Sequence, residues 1–368
     1  MFTTSPEAPR MRPLSCGHTS ARQRLRQHAL SLQRGVRAAQ PVRSLNYRHA
    51  FHVGNFGDVV KHTVLLAVLR HMHRKDKAML LMDTHASRGI FDMTSPEAVR
   101  SPEHLHGVAK LMHAASGNAP QAVQEYVACL RAVNAGKGAV RNYPGSPMLF
   151  GMRLRQTDRL VLSELHEAEA DALRDNMVRF CADLDAERPV GEGNNFSSSS
   201  QCRVVQADGF DTWLSFVPPA ERRGLILCDP PYEKTEERAR VLETLRLAHR
   251  RWGSGTCIIW FPIKDLPGLH EFKDSVRALG IPKILAATVL VRDASLAPHK
   301  LNGCGLLIVN PPFTLDAELA DCIPWLARVL ADVDDSPQQG GQAGRVWANK
   351  ECTGGEVFWL TPDSHGPK

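Results

Sequence analysis

Seven short apolar segments, separated by stretches of helix-forming composition, are the feature that most constrains the fold of this chain. They have the length of β-strands and are rich in Val, Ile and Leu. They span residues 78–82, 159–162, 202–205, 224–228, 256–262, 284–291 and 305–309. Continuous apolar strands are typical of sheets that carry helices on both faces. The alternation therefore predicts an α/β protein with a seven-stranded, doubly wound sheet.

Three segments interrupt this alternation and divide the 368-residue chain. Residues 92–142 are helical in pattern and poor in strands, which predicts an inserted helical subdomain after the first strand. Residues 190–201 are rich in Gly, Asn and Ser and are predicted to form a flexible loop. A single α/β domain is accordingly expected over residues 46–334, and residues 335–368 are predicted to be a C-terminal tail.

The positive charge of the chain is concentrated at its start. Residues 1–45 contain eight Arg, no Lys and one Glu, a balance of +7, so the other residues carry 6 − 7 = −1 of the total of +6. Such a basic leader fits an organellar transit peptide, upstream sequence read as coding, or a disordered arm that binds nucleic acid. It lacks the apolar core of a secretory signal, so the protein is expected in the cytoplasm or, if the leader is a transit peptide, in an organelle.

Composition argues against two other classes of protein. No stretch approaches the ~18 apolar residues of a membrane span, so no membrane partner is expected. The nine cysteines are scattered and never form a C-x-x-C pair, and no cluster of histidines supplies a complete ligand set. Neither a disulfide framework nor a bound metal is predicted.

Four of the predicted strands end in an acidic residue, at the edge where an open α/β sheet binds its ligand. These residues are Asp83, Glu164, Asp208 and Asp229. After the second strand Glu164 is placed to accept the ribose hydroxyls of a nucleoside, and after the third Asp208 can accept an adenine amine. One such acid is commonly a helix cap or a solvated residue, but four in register point to a nucleoside cofactor.

The tetrapeptide Asp229-Pro230-Pro231-Tyr232 follows the fourth strand. It has the form of the motif by which S-adenosylmethionine-dependent methyltransferases alkylate an exocyclic amine. An Asp oxygen and a backbone carbonyl fixed by proline would accept the two amine protons, and the Tyr ring would stack on the extruded base. The sequence Asn310-Pro311-Pro312-Phe313 matches the same pattern, but it follows the seventh strand and is interpreted as structural.

The chain resembles the RlmJ-type 23S ribosomal RNA adenine-N6 methyltransferases. The resemblance is carried in consistent order by residues 47–55, 58–63, 83–86, 143–147, 164–166, 207–210 and 224–232. It implies a class I, Rossmann-like methyltransferase fold with a helical insertion, and S-adenosylmethionine as cofactor. The cofactor-binding residues that it implies are Lys61, His62, His85, Ser146, Glu164, Asp208, Gly209 and Asp229. Asp229 would also be catalytic, and the substrate-binding residues would be Tyr47, Pro230, Pro231 and Tyr232.

One departure from the family pattern lies in the first cofactor loop. The family usually has D-T-H-A-G-A-G there, whereas this chain has Ser87 and Arg88 in place of Gly and Ala. A bulky Arg88 at the rim could perturb cofactor binding or contact phosphate.

The resemblance implies methylation of N6 of one adenine in 23S ribosomal RNA, on naked or partly assembled RNA, by a monomer. Two alternatives stay open at this point. A DNA adenine methyltransferase shares the motif and its chemistry, although no target-recognition domain beyond the helical insertion is evident. A nucleic-acid-binding protein without activity would result if Arg88 blocked the cofactor.

Overall fold

The computed structural model describes residue 1 and residues 48–115, 117–134, 140–187, 201–234, 236–295, 300–332 and 354–362, with the side chains of residues 183–187 left out. The basic leader over residues 1–45, the predicted substrate residue Tyr47 and nearly all of the predicted loop 190–201 lie outside these ranges.

One large sheet organises the described part of the chain. It has eight strands in the order β10-β8-β9-β7-β6-β1-β4-β5. Neighbouring strands from β5 to β7 run parallel, whereas β9 is antiparallel to β7 and β8, and β10 is antiparallel to β8. The strands of this sheet are β1 (Leu80–Asp83), β4 (Arg159–Glu164), β5 (Cys202–Gln206), β6 (Gly224–Cys228), β7 (Thr256–Ile263), β8 (Ile284–Leu290), β9 (Gly303–Val309) and β10 (Gly354–Thr361).

The predicted α/β class is confirmed, and the predicted count of seven strands is corrected to eight. All seven predicted segments form strands, and the additional strand, β10, lies within residues 335–368, which the sequence assigned to a tail. Its residues are exposed or half-buried except for the buried Leu360, because it pairs only with β8 at the edge of the sheet. A strand that is buried on one side lacks the continuous apolar run by which the other seven were identified.

Helices cover both faces of the sheet. One face packs against α1, α5, α6, α10 and the helices between β2 and β3, and the other packs against α7, α8 and α9. The helices are α1 (Phe56–His73), α2 (Pro96–Arg100), α3 (Val108–Ala114), α4 (Gln121–Val133), α5 (Ser146–Arg153), α6 (Glu167–Glu187), α7 (Gly209–Phe216), α8 (Glu237–Arg251), α9 (Leu266–Ala278) and α10 (Leu315–Leu330).

The segment between Asp92 and Asn142 contains α2, α3 and α4. The segment is flanked by β2 (Ile90–Asp92) and β3 (Asn142–Pro144). These two strands pair antiparallel and form a small separate sheet. The two ends of the inserted segment therefore lie next to each other, beside the loop that follows β1.

Helix α1 is buried on nearly all sides, because it packs against the inserted helices, α10 and the large sheet. Its start is set by Asn55, whose side chain accepts a hydrogen bond from the Asp58 amide. The Asp58 carboxylate in turn accepts a hydrogen bond from the Gly54 amide at 2.9 Å. Two side chains, one before the helix and one in its first turn, thus bind backbone amides at the start of α1. This rigid start fixes the direction in which the next turn of α1 presents its side chains.

The chain order of the strands creates a switch point between β1 and β6. From β1 the chain proceeds outward to β4 and β5, and it then crosses to β6 on the other side of β1. Ligands of open α/β sheets bind at the carboxyl ends of the strands flanking such a point. Within the described ranges, none of the helices combines the length and apolarity that a membrane span requires.

Candidate active site

Asp83 and Asp229 stand at the ends of the two strands that flank the switch point. Asp83 is the last residue of β1 and is fully buried, and Asp229 directly follows β6. Burial raises the pKa of Asp83 to about 6, although the Ser146 hydroxyl and the His85 amide partly oppose this rise. Two carboxyl groups therefore lie at the position where the sheet is expected to bind its ligand.

Lys61 connects α1 to this pair of strands. Its ammonium donates to Asp229 Oδ2 at 2.5 Å and to Asp58 Oδ1 at 2.8 Å, and its side chain is 5% exposed. Burial alone would lower the pKa of Lys61, but the two carboxylates raise it well above its usual value. Asp58 is buried as well, yet His49 and Lys61 hold its pKa well below the usual range. Lys61 is thus a permanent cation beside the predicted catalytic Asp229.

Glu164 organises the loop that follows β1. At the end of β4 its two carboxylate oxygens accept from the backbone amides of Ser87 and His166, each at 2.8 Å. Ser87 has a φ of +50°, in the left-handed region where Gly is favoured, and the bond to Glu164 holds its amide in that conformation. The loop therefore keeps a glycine-like backbone although a serine replaces the family's glycine.

Arg88, the other departure in this loop, is held by α6. Its Nε donates to Glu169 Oε2 at 2.8 Å and its terminal nitrogen donates to Glu169 Oε1. The Asn176 side chain donates to the Arg88 carbonyl at 2.9 Å. The guanidinium is thus occupied by a carboxylate of the fold itself, which gives no support to the hypothesis that it blocks the cofactor.

Asp208 and Gly209 lie where β5 meets α7. The Asp208 side chain caps α7 by accepting from the amides of Phe210 and Asp211, and it also binds the Arg240 guanidinium through two hydrogen bonds of 2.7 Å. A Cβ at Gly209 would lie 1.9 Å from the Thr84 carbonyl oxygen, so only glycine lets α7 approach the β1 loop this closely. These contacts bring Asp208, which follows β5, next to the loop after β1.

His85 and Phe210 pack together beside Asp208. Their ring centroids are 5.1 Å apart in an edge-on arrangement, and the Arg240 guanidinium lies 4.5 Å from the Phe210 centroid. Burial lowers the pKa of His85 to about 4, so the imidazole is neutral at physiological pH. The predicted adenine site thus has apolar ring surfaces next to a carboxylate acceptor.

His62 and Ser146 complete the set from the helices. His62 Nδ1 lies 3.0 Å from the Tyr143 hydroxyl, whereas its Nε2 is buried without a hydrogen-bond partner among the described residues. Burial lowers the pKa of His62 well below its usual value. Ser146 is the buried first residue of α5, immediately after β3.

The DPPY segment has a fixed conformation. Tyr232 has a φ of +53°, its hydroxyl donates to the Trp260 carbonyl at 2.7 Å, and its ring centroid lies 6.0 Å from that of Trp260. Pro230 is buried and Pro231 half-buried. By contrast, Asn310 of the second such segment donates to the carbonyls of Gly253 and Gly255, as expected of a structural residue.

The structure thus brings the described members of the predicted site to the carboxyl edge of β1, β4, β5 and β6. Sequence reasoning did not assign a role in the site to five residues that contact it. For Asp58 the i, i+3 spacing to Lys61 was an available signal. The partners of the others are distant in sequence, so no local pattern revealed them. These five are Asp58, Tyr126, Tyr143, Glu169 and Arg240.

The residues present fit the nucleoside cofactor that the motif implies. His62 Nε2 and His166 Nδ1 are buried polar atoms without partners among the described residues, and such atoms are costly unless a ligand pairs with them. The carboxylates of Glu164, Asp208 and Asp229 lie at the same edge of the sheet, where Gly209 lets α7 approach the loop after β1. No group of three or more His, Cys, Asp or Glu side chains within the described ranges is arranged to hold a metal ion.

Comparison with known proteins identifies the family. A family model described as ribosomal RNA large subunit methyltransferase D, RlmJ, matches residues 76–191 and 186–348. The ribosomal RNA large subunit methyltransferase J of Haemophilus influenzae is 32% identical over 87% of this chain and all of its own length. The protein of the same name from Escherichia coli is 33% identical over 82% of this chain and 98% of its own length.

A solved structure supports the fold over nearly the same extent. The crystal structure of protein LPL1258 from Legionella pneumophila is 26% identical, covers 84% of this chain and 98% of its own, and superposes with a TM-score of 0.66. The match to the family model covers well over half of the chain and includes β1 to β9. The chain therefore belongs to the RlmJ family of ribosomal RNA large subunit methyltransferases.

Proposed function

We propose that this protein methylates N6 of a specific adenine in 23S ribosomal RNA. The observation that carries the proposal is Asp229, held by the Lys61 cation at the switch point of the sheet and followed by Pro230, Pro231 and Tyr232. The names of the relatives give the large-subunit ribosomal RNA as their substrate. The DPPY sequence adds the exocyclic amine as the group that receives the methyl.

Asp229 is the proposed catalytic residue. Lys61 binds its Oδ2, and Oδ1 accepts no hydrogen bond from the described residues. The free oxygen can accept one N–H of an adenine amine, and a backbone carbonyl fixed by proline can accept the other. An amine bound in this way loses conjugation with the ring and its lone pair becomes available at the nitrogen. Catalysis then rests on positioning and on local electrostatics.

Tyr232 and Tyr47 are the proposed contacts of the target base. The Tyr232 hydroxyl is bound to the Trp260 backbone, which orients the ring without using its face. An extruded base can stack on such a face. Tyr47 is assigned by the resemblance alone.

The cofactor supplies an electrophilic methyl group on a sulfonium. Glu164 and Asp208 are proposed to bind its ribose and adenine, and His85, Gly209 and Ser146 to line the pocket. His62 and Lys61 would bind its methionyl part, because Lys61 contacts Asp229 and His62 is the next residue of α1. Lys61 has a third N–H beyond the two that bind carboxylates.

The substrate is proposed to be naked or partly assembled 23S RNA, bound by a monomer in the cytoplasm. A transit function of residues 1–45 would place the protein in an organelle instead.

An in vitro assay tests the proposed activity. The purified protein is incubated with S-adenosylmethionine and unmodified 23S RNA, and digested nucleosides are analysed by mass spectrometry. We expect N6-methyladenosine at one position, and its loss in Asp229→Ala with the thermal unfolding curve retained. Methylation of duplex DNA but not RNA would favour the DNA enzyme, and absence of S-adenosylmethionine binding at millimolar concentration would refute the enzyme proposal.

A further inference from the structure

Three buried side chains form a chain of hydrogen bonds between the helical insertion and α1. The Tyr126 hydroxyl on α4 lies 2.7 Å from the Tyr143 hydroxyl on β3, and the Tyr143 hydroxyl lies 3.0 Å from His62 Nδ1. The Tyr126 hydroxyl lies 3.4 Å from the same His62 nitrogen. Both tyrosines are fully buried and His62 is 1% exposed, so bulk solvent does not reach these hydrogen bonds.

The number of protons in this cluster favours one arrangement. Each hydroxyl has one proton to donate, and a neutral imidazole has one N–H and one acceptor nitrogen. If Tyr126 donates to Tyr143, and Tyr143 donates to His62 Nδ1, both hydroxyl protons are used. The imidazole proton is then on Nε2.

Among the described residues, the opposite tautomer leaves two hydrogen-bonding groups unpaired, the Tyr126 O–H and the His62 Nε2 acceptor, whereas the first arrangement leaves only the Nε2–H. With the proton on Nδ1, His62 would donate to Tyr143, Tyr143 would donate to Tyr126, and Tyr126 would need a further acceptor. No other acceptor for the Tyr126 hydroxyl is present among the described residues. A buried hydroxyl without an acceptor is costly, which disfavours this arrangement.

The environment of His62 keeps the ring neutral, as the count requires. Burial and the neighbouring Lys61 cation lower the pKa of His62 well below its usual value, although Asp58 opposes them. The Nε2 atom is buried and has no hydrogen-bond partner among the described residues. The arrangement therefore leaves one unused donor, the Nε2–H of His62.

We propose that Tyr143, supported by Tyr126, is a positioning residue that holds His62 in its Nε2–H tautomer and thereby presents a fixed N–H donor to the methyl donor. This inference rests on the proposed function in one respect, that His62 lies in the cofactor pocket. It also gives the helical insertion a part in cofactor binding, because Tyr126 belongs to α4 and its shorter hydrogen bond is to Tyr143.

Nuclear magnetic resonance of the protein without cofactor tests the tautomer directly. The full chain is labelled with ¹⁵N at histidine, and the His62 ring signals are assigned by their loss in His62→Gln. We expect a protonated Nε2 and an unprotonated Nδ1 that accepts a hydrogen bond. In Tyr143→Phe we expect a mixture of tautomers or the Nδ1–H form. A wild-type ring protonated at Nδ1 would overturn the proposal.

Calorimetric titration with S-adenosylmethionine tests the consequence for binding. Tyr143→Phe removes the donor to Nδ1 and is expected to raise the Kd about tenfold. Tyr126→Phe is the matched control, because it also removes one buried hydroxyl but leaves Tyr143 donating to His62, so its Kd should rise no more than about threefold. Thermal unfolding of both variants establishes that they fold.

The outcomes separate this inference from the proposed function. If the wild type binds S-adenosylmethionine, but the two variants weaken binding equally or not at all, the tyrosines have only a structural role and the inference fails. If the wild type does not bind it, the proposed function fails, while the tautomer measurement still decides the state of His62.

Discussion

At the scale of single residues, the site combines acids whose environments differ sharply. Asp58 is an ion-paired carboxylate, whereas Asp83 is a fully buried carboxyl that lacks a cation in hydrogen-bond contact within the described part of the chain. Asp208 and Asp229 each have a basic partner, Arg240 and Lys61. These partners determine which carboxyl oxygens stay available to a ligand.

Asp83 should make the stability of the protein depend on pH. The pKa of Asp83 is raised by burial from 3.8 to about 6, so its contribution to stability is fully present below pH 3.8 and is lost as the pH rises through 6. At about 1.4 kcal/mol per pKa unit, the loss amounts to about 3 kcal/mol. The side chain introduced by Asp83→Asn does not ionise. Between pH 4 and pH 7 the free energy of unfolding of this variant should therefore rise by up to about 3 kcal/mol relative to that of the wild type.

Urea unfolding at several pH values measures this difference. Asp76→Asn is the control, because the Asp76 side chain is fully exposed and its replacement should leave the pH dependence unchanged. A constant difference between Asp83→Asn and the wild type would contradict the prediction.

Arg240 should strengthen cofactor binding through Asp208. It fixes the carboxylate with two hydrogen bonds of 2.7 Å, but its side chain is 45% exposed, and exposed pairs contribute about 0.2–1 kcal/mol. Arg240→Ala should therefore raise the Kd for S-adenosylmethionine about threefold, measured by calorimetry. Arg246→Ala is matched, since Arg246 lies on the same helix and binds Glu243 in the same way. Tighter binding by Arg240→Ala would show instead that Arg240 competes with the cofactor.

At the scale of structural elements, the loop between β1 and β2 depends on its neighbours. Glu164 at the end of β4 holds the Ser87 amide, and Glu169 and Asn176 on α6 hold Arg88. In the family pattern, glycine gives this loop its conformation. Here the contacts from β4 and α6 maintain the same left-handed turn with a serine.

Arg88→Ala decides between two roles of this arginine. If Arg88 anchors the loop to α6, the variant should bind S-adenosylmethionine about fivefold more weakly, because the ordered loop is part of the pocket. An arginine that obstructed the pocket would give tighter binding when removed. Arg174→Ala serves as the control, because Arg174 lies on α6 itself and pairs with Asp171 on the same helix.

The edge strand β10 packs closely against α10 at Gly355. A Cβ at Gly355 would lie 2.6 Å from the Ile323 carbonyl oxygen, so Gly355→Ala should lower the free energy of unfolding by about 1–3 kcal/mol. Gly117→Ala has no atom within 4 Å of the added methyl and should change it little. Equal thermal stability of the two variants would argue against the packing of β10 on α10.

At the scale of the whole molecule, charge is distributed unevenly. The net charge of +6 arises from residues 1–45, and the remaining chain carries −1. RNA binding by the rest of the chain would therefore depend on local exposed basic groups such as Arg48, because Lys61 is buried between two carboxylates and Arg88 is paired with Glu169.

A salt titration tests whether the leader takes part in RNA binding. The slope of log K against log salt counts the phosphates that are neutralised, at about 0.7–0.9 per phosphate. A protein that begins at residue 45 should show the slope of the full chain within about one unit and should retain methylation. A slope shallower by several units would assign the RNA contacts to the eight arginines of the leader.

The sequence by itself determined the fold class and indicated the methyltransferase family. Seven apolar runs, four acids at strand ends and the DPPY segment are local patterns, and each is readable because strand burial and turn chemistry act over a few neighbouring residues. An edge strand escaped the same reasoning, since β10 is buried on one side only.

Only the tertiary structure decided which side chains meet. Lys61 reaches Asp229 across 168 positions of sequence, Tyr143 reaches His62 across 81, and Arg240 reaches Asp208 across 32. No local pattern encodes such pairs, because the crossing of the chain at the switch point brings them together. Local sequence patterns thus indicated the type of chemistry. The charge state of Lys61, the tautomer proposed for His62 and the orientation of Asp208 depend instead on the packing of distant elements.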